Sequence, residues 1–159
     1  MQDFDTDQTS DLFYAVGFIV IHFAQIEQSL DMMVSALYQN ADPLGRPRRI
    51  PKMLEPKLKY LSDSVNVDTH ISNIKDDLLL FIDEVRSISE LRNEVIHGAI
   101  AKYSPTHGAF QFTKFDIHEG YHYFREFQLD LKKFPWIAEK FIELCRQANA
   151  LTRNILEEK

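Results

Sequence analysis

The chain has 159 residues, of which 45% are hydrophobic, and this length and composition suit one domain with a buried core. Its net charge of −6 argues against a general nucleic-acid-binding protein, because nonspecific affinity depends on neutralising phosphates. The acidic start MQDFDTDQTSD is unlike a signal peptide, and no long uncharged apolar run predicts a membrane span, so we expect a cytoplasmic protein. The single Cys145 cannot form an internal disulfide, and we expect it to be a buried thiol.

The first helix is predicted from Thr9 or Ser10, either of which can serve as its N-cap after an acidic lead of eight residues. Apolar residues then recur at alternating spacings of four and three, which is typical of a helix packed along one seam. The seam residues are Leu12, Val16, Ile19, Phe23, Ile26, Leu30, Met33 and Leu37. A flanking row is also expected to touch the core, and it consists of Phe13, Val20, Glu27 and Val34. Glu27, as a carboxylate among apolar neighbours, needs a partner.

A loop over residues 40–51 (NADPLGRPRRIP) precedes a shorter helix, with Pro56 in its first turn and Leu58, Leu61 and Val65 on its apolar face. Residues 46–59 contain six basic residues and one acidic residue, so this segment is +5 while the remainder of the chain is −11. The basic residues are Arg46, Arg48, Arg49, Lys52, Lys57 and Lys59. We expect Lys57 and Lys59 to point away from the apolar face. The cluster is either a contact surface for an RNA backbone or a solvated loop and helix face.

The third helix is predicted to begin at a cap on Asp68 or Thr69 and to end at Gly98, where glycine can adopt the left-handed conformation. Its seam residues are Ile74, Leu78, Phe81, Val85, Ile88, Arg92 and Val95. An arginine thus occupies a position in an otherwise apolar seam.

Beyond Gly98 the period changes to about 2 and Tyr and Phe become frequent, which predicts strands over residues 99–103, 110–117 and 121–129. Pro135 lies near the start of a last helix, whose seam residues are Ile137, Phe141, Leu144, Ala148, Leu151 and Ile155. The predicted fold is therefore mainly α: an up-and-down helical bundle over residues 1–159, with a small antiparallel β-meander (99–129) inserted before the last helix.

Residues 89–98, SELRNEVIHG, place an arginine, an asparagine and a histidine at the end of the third helix. At about 100° per residue, Asn93 and His97 share a face, while Arg92 lies about 140° away from His97. Either the arginine curls around the helix end, or two copies of the helix meet so that one Arg92 approaches the other His97.

Histidine transfers protons near neutral pH and arginine binds phosphate oxygens, so together they suit phosphodiester cleavage. The structural alternative is that His97 complements the helix dipole and that Arg92 pairs with Glu27. His118 and His122 flank a turn and lack the helical zinc-protease spacing, so no metal site is predicted.

The string RNEVIHG at the end of a long helix resembles the signature of the HEPN superfamily, as do FAQIEQSL in the first helix and the Lys-rich PKLKYLSD in the second. The resemblance covers roughly residues 11–98 and the last helix. It implies a metal-independent ribonuclease without a cofactor, acting as a homodimer whose two motifs line one cleft. Arg92 would bind and stabilise the scissile phosphate, His97 would transfer a proton, and Asn93 would orient the phosphate or the histidine, with Glu27 in a supporting role.

The same resemblance implies an RNA substrate, products with cyclic phosphate ends, and a toxin or abortive-infection role with an antitoxin protein as partner. Because other members of the superfamily have lost activity, the alternative is a non-catalytic HEPN module that binds a protein or a nucleotide. One branch has a tyrosine two residues after the histidine, where this chain has Ala99, so control by modification of that tyrosine is not implied.

Overall fold

The computed structural model describes residues 6–39, 50–104 and 106–157. Within these ranges the chain forms four α-helices and one three-stranded antiparallel sheet. The helices are α1 (Thr6–Gln39), α2 (Leu54–Val67), α3 (Lys75–His97) and α4 (Phe134–Glu157), and the strands are β1 (Ala99–Ser104), β2 (Ala109–His118) and β3 (Tyr121–Asp130). The predicted mainly α fold, with a β-meander before the last helix, is confirmed.

Two helix starts differ from the predictions. Helix α1 begins at Thr6, so the last residues of the predicted acidic lead are helical. Asp7 in the first turn complements the positive end of the helix dipole and favours this earlier start. Asp68 does act as a cap, but its carboxylate accepts from the His70 N–H at 2.9 Å and caps a 3₁₀ segment, Thr69–Ile74. Helix α3 starts only after that segment.

The chain forms two compact units, Met1–His22 with Ile88–Phe141, and Phe23–Ser87 with Ile142–Lys159. In the second unit, the predicted seams of α1, α2, α3 and α4 are buried, among them Ile26, Leu61, Phe81 and Leu144. The predicted 3.6-residue periodicity thus identified this core correctly.

The first unit has a core in which α1 packs against the sheet. Leu12 and Ala15 of α1 lie with Phe110, Phe112 and Leu129 of the strands, all at most 2% exposed. Side chains alternate along β2 and β3, so that one face of the sheet supplies these aromatic and aliphatic residues.

The flanking row on α1 was predicted wrongly in the first unit. Phe13 is 67% and Val20 37% exposed, because the sheet packs on Leu12 and Ala15 and not on the adjacent row. Val34, in the second unit, is buried as predicted. By length and composition, part of α1 (Thr9–Gln39) is apolar enough to cross a membrane, a test that core helices of soluble proteins and signal sequences near an N-terminus also pass.

Strands β2 and β3 pair over their whole length and are joined by a two-residue turn at Glu119 and Gly120, whose φ values are 51° and 82°. Positive φ at both positions is the requirement of the type I′ hairpin turn. Strand β1 pairs only with residues 109–113 of β2. Beyond Thr113 the sheet therefore continues as a two-stranded ribbon, residues 114–125.

Gly98 does not have the predicted left-handed conformation, since positive φ among the described glycines occurs at Gly108 and Gly120. Its N–H donates to the Glu94 carbonyl at 2.8 Å and so continues the helical hydrogen-bonding pattern. A Cβ at this position would lie 2.6 Å from that carbonyl oxygen and 2.9 Å from Cε1 of Phe127. Glycine is required here by two close approaches, one to the last turn of α3 itself and one to the sheet, and not by a left-handed conformation.

Candidate functional site

Arg92, Asn93 and His97 lie in the last two turns of α3, immediately before the chain enters β1. Val95, between them, is only 5% exposed and fixes the opposite side of the helix in the core. Asn93 and His97 are exposed and Arg92 is half-buried. The helix therefore presents the asparagine and the histidine to solvent on the face predicted from their four-residue spacing.

The Arg92 side chain is directed toward that face. Its Nη1 donates a hydrogen bond to Oδ1 of Asn93 at 3.0 Å. Arg92 starts from a seam position, and its guanidinium is hydrogen-bonded to the neighbouring residue, which shares a face with His97. This hydrogen bond joins neighbouring residues, and the two arrangements that would bring Arg92 to His97 both remain predictions.

Glu94 brings a negative charge next to this group, and a partner in the sheet balances it. Arg125 of β3 lies 3.1 Å from the Glu94 carboxylate, and the same guanidinium is 3.6 Å from Asp116 of β2. Lys114 follows at 3.3 Å from Asp116. These four charges alternate in sign along the network. Because Arg125 lies next to Glu94, the Glu94 carboxylate already has a cationic partner in the ribbon.

This charge network was not predicted from the sequence, although its members lie in segments predicted correctly as strands and helix. Lys114 and Arg125 are directly opposite each other in the β2–β3 register. Strand alternation could have shown that Lys114, Asp116 and Arg125 lie on one face of the hairpin. Their meeting with Glu94 required the packing of the hairpin on α3.

Glu27, the proposed supporting residue, is half-buried on α1 in the second unit. Arg92 belongs to the first unit. A pairing of these two residues remains a prediction.

The predicted basic cluster is divided by the structure. Arg46, Arg48 and Arg49 lie outside the described residues. Lys52 is exposed, and Lys59 is exposed with its ammonium 3.1 Å from Asp63. These two lysines remain available to an anionic ligand.

Lys57 was predicted to point away from the apolar face of α2, and this is wrong. It lies on the buried face, with a side chain 7% exposed and its Nζ 2.6 Å from Oδ1 of Asp31. The aliphatic stem packs in the core while the ammonium keeps one carboxylate partner. Lys57 is therefore a structural residue, and it is removed from the set of candidate RNA contacts.

The ribbon carries an exposed apolar surface that was not predicted from the sequence. Phe115, Ile117 and Phe124 are 51%, 63% and 73% exposed. The Phe115 ring lies 5.4 Å from the Phe124 ring and 5.3 Å from that of His122. We call these four residues the aromatic patch. Strand prediction alone could have shown that they share a face, but not that this face is uncovered.

Among the residues that the structure describes, no group of three His, Cys, Asp or Glu side chains has an arrangement that could hold a metal ion. A surface pocket in the second unit is lined by Asp77, Leu80, Gln147 and Asn154, and it contains none of the predicted site residues. Arg92, Asn93 and His97 therefore remain the main candidate functional site.

No family model, no curated protein and no solved structure matches this chain.

Proposed function

We propose that this chain is a metal-independent endoribonuclease of the HEPN type, with Arg92, Asn93 and His97 as its catalytic group. One observation carries the proposal: the Arg92 guanidinium donates to the Asn93 carboxamide at 3.0 Å on a solvent-exposed helix end that also displays His97. This arrangement presents a phosphate-binding cation and a group that can transfer protons to the same solvent region. As the resemblance implies, the proposed biological setting is a toxin or phage-defence system with a restraining protein partner.

The proposed reaction uses the RNA 2′-hydroxyl as nucleophile. Its oxygen attacks the adjacent phosphorus, and the bond from phosphorus to the 5′-oxygen of the next nucleotide breaks. The products are a 2′,3′-cyclic phosphate and a 5′-hydroxyl. One proton leaves the 2′-oxygen and one reaches the 5′-oxygen, so two proton-transfer steps are needed, and His97 is proposed as base or acid.

Arg92 is proposed to stabilise the negative charge that develops on the phosphorane oxygens. Asn93 holds the guanidinium through its carboxamide oxygen, which limits the directions that Arg92 can take. A second copy of the chain would supply a second His97, so a homodimer provides one histidine for each proton transfer. The exposed Lys52 and Lys59 are proposed to contact the RNA backbone.

Cleavage of a mixed RNA substrate in the presence of EDTA tests the proposal. Wild-type protein should cut RNA and leave cyclic phosphate ends, and Arg92→Ala and His97→Ala should each reduce the rate by at least roughly a hundredfold. Both variants should retain the circular dichroism spectrum of the wild type, because His97 is exposed and Arg92 is only half-buried at the end of α3.

Matched controls are available in the same chain. His70→Ala and Arg153→Ala remove an exposed histidine and an exposed arginine elsewhere, and both should leave the rate unchanged. Cleavage that survives both Arg92→Ala and His97→Ala comes from a contaminant or another site, and it would rule out the proposed group.

The second candidate function is a non-catalytic module that binds another protein. The observation in its favour is the exposed aromatic patch, because exposed apolar surface of this kind marks interaction sites. If the chain is such a module, Arg92 is a structural residue and not a catalytic one. Arg92→Ala should then lower the thermal stability of the protein, and wild-type protein should leave RNA intact.

A further inference from the structure

Strand β3 is an edge strand with an unpaired side. The sheet order is β1-β2-β3, so within the described part of the chain the backbone groups of β3 that point away from β2 have no strand beside them. Residues 121–126 of β3 are all exposed. A row of unpaired N–H and C=O groups is a template for the addition of another strand.

Three of the features that protect such an edge, proline, lysine and a β-bulge, do not occur in β3. Its sequence, YHYFREFQLD, contains no proline and no lysine, and its pairing with β2 runs without a bulge from Asp130 to Tyr121. Its outer side chains instead belong to an exposed apolar surface, since Phe124 is 73% exposed beside Phe115. The edge is long and regular and carries exposed aromatic side chains, which favours pairing with another strand.

The charges along β3 restrict the register in which it can pair with a second copy. In an antiparallel pair of identical strands, one residue lies opposite its own copy, and the others pair symmetrically around it. Centring on Arg125 or on Glu126 would place two like charges directly opposite each other, which is destabilising. Centring on Phe124 places Phe124 against itself, His122 opposite Glu126, and Tyr123 opposite Arg125.

The register centred on Phe124 is complementary on both faces of the sheet. On one face an imidazole meets a carboxylate twice, with two phenylalanine rings between them. On the other face a tyrosine ring meets a guanidinium twice, which is a favourable cation–π pairing. We infer that β3 pairs antiparallel with β3 of a second copy about a twofold axis at Phe124, so that two three-stranded sheets form one sheet of six strands.

This pairing has a geometric consequence for α3. The twofold axis that relates antiparallel neighbours is perpendicular to the sheet, so each face of one sheet continues into the same face of the other. Arg125 contacts Glu94 from one face of the ribbon. The C-terminal turns of both α3 helices, with Arg92, Asn93 and His97, therefore lie on the same face of the joined sheet. The pairing itself does not depend on the proposed ribonuclease activity.

The mass of the full chain in solution tests the inference, and this readout is independent of cleavage. Sedimentation equilibrium of wild-type protein at about 50 μM should give a dimer of the 18.6 kDa chain. Phe124→Lys places two ammonium groups at the axis and should raise the dimer Kd at least roughly tenfold. Leu80→Lys, at a 60% exposed apolar residue of α3, is the matched control and should leave the Kd unchanged.

Disulfide cross-linking in a Cys145→Ser background tests the register. Phe124→Cys should form a dimer rapidly on mild oxidation, because residues opposite each other have Cα atoms about 5 Å apart. Glu126→Cys should not cross-link to its own copy, because the two positions are separated by about four residues along the strands, on the order of 13 Å. A monomeric wild-type protein, a Kd unaffected by Phe124→Lys, or faster cross-linking of Glu126→Cys would each overturn the inference.

Discussion

The guanidinium of Arg125 in β3 lies 3.1 Å from the carboxylate of Glu94 in α3, and this ion pair joins the ribbon to the helix that carries Arg92, Asn93 and His97. The same arginine is 3.6 Å from Asp116, so one cation connects the helix to both strands of the ribbon. The position of the ribbon beside the candidate site is therefore set partly by charge and partly by the packing of Phe112 and Phe127 around Gly98.

The energetic contribution of the Glu94–Arg125 pair should be small. The side chains are 20% and 47% exposed, and ion pairs with this degree of solvent contact contribute about 0–1 kcal/mol. A double-mutant cycle with Glu94→Gln and Arg125→Gln, measured by urea unfolding, should give a coupling energy below about 1 kcal/mol. The coupling should decrease further in about 1 M salt. A value above about 2 kcal/mol would show that the pair is shielded from water far more than its exposure indicates.

Gly98→Ala should destabilise the protein by about 1–3 kcal/mol, because the added Cβ meets the Glu94 carbonyl at 2.6 Å and the Phe127 ring at 2.9 Å. Gly17→Ala is the matched control, since a Cβ at that helical glycine has no atom within 4 Å. Alanine there should stabilise α1 by up to about 1 kcal/mol. Chemical denaturation of both variants measures the difference. Equal free energies of unfolding for the two would contradict the close approach at Gly98.

Asp31→Asn should lower the free energy of unfolding by about 1–3 kcal/mol, because it leaves the buried ammonium of Lys57 without its carboxylate. The value is below that of a fully buried pair since Asp31 is itself 55% exposed. Asp63→Asn is the comparison, because it removes the partner of Lys59, whose side chain is 67% exposed, and should cost about 0.5 kcal/mol or less. If the two substitutions have the same effect, the ammonium of Lys57 is solvated and the assigned burial is wrong.

Cys145 should react slowly with iodoacetamide at about pH 8. Burial raises the pKa of its thiol, so a smaller fraction is present as the reactive thiolate than in a free cysteine. Its Sγ also donates to Oε1 of Gln25 at 3.6 Å. The alkylation rate in folded protein should keep rising with pH beyond the range in which a free thiol has already ionised, whereas unfolded protein should react like a free thiol throughout. Fast alkylation of the folded protein at neutral pH would contradict the raised pKa.

Local patterns in the sequence determined most of the fold. The four-and-three spacing of apolar residues from Leu12 to Leu37 identified the buried side of α1 in both units, because helical periodicity depends only on residue spacing. The strands were predicted within one residue of their observed ends, since alternation and the HEG turn are also local signals. The shared face of Asn93 and His97 followed from the same geometry, although their catalytic role remains a proposal.

Several features were decided only by the tertiary structure, because they depend on which surfaces of the chain meet. The direction of the Arg92 side chain, the pairing of Glu94 with Arg125 in a distant strand, and the burial of Lys57 all involve neighbours or rotamers that residue spacing does not specify. Gly98 illustrates the difference most clearly. The sequence located the end of α3 from this glycine. The absence of a Cβ relieves a local contact with the Glu94 carbonyl and also lets the helix end approach Phe112 and Phe127, and only the second contact depends on tertiary packing.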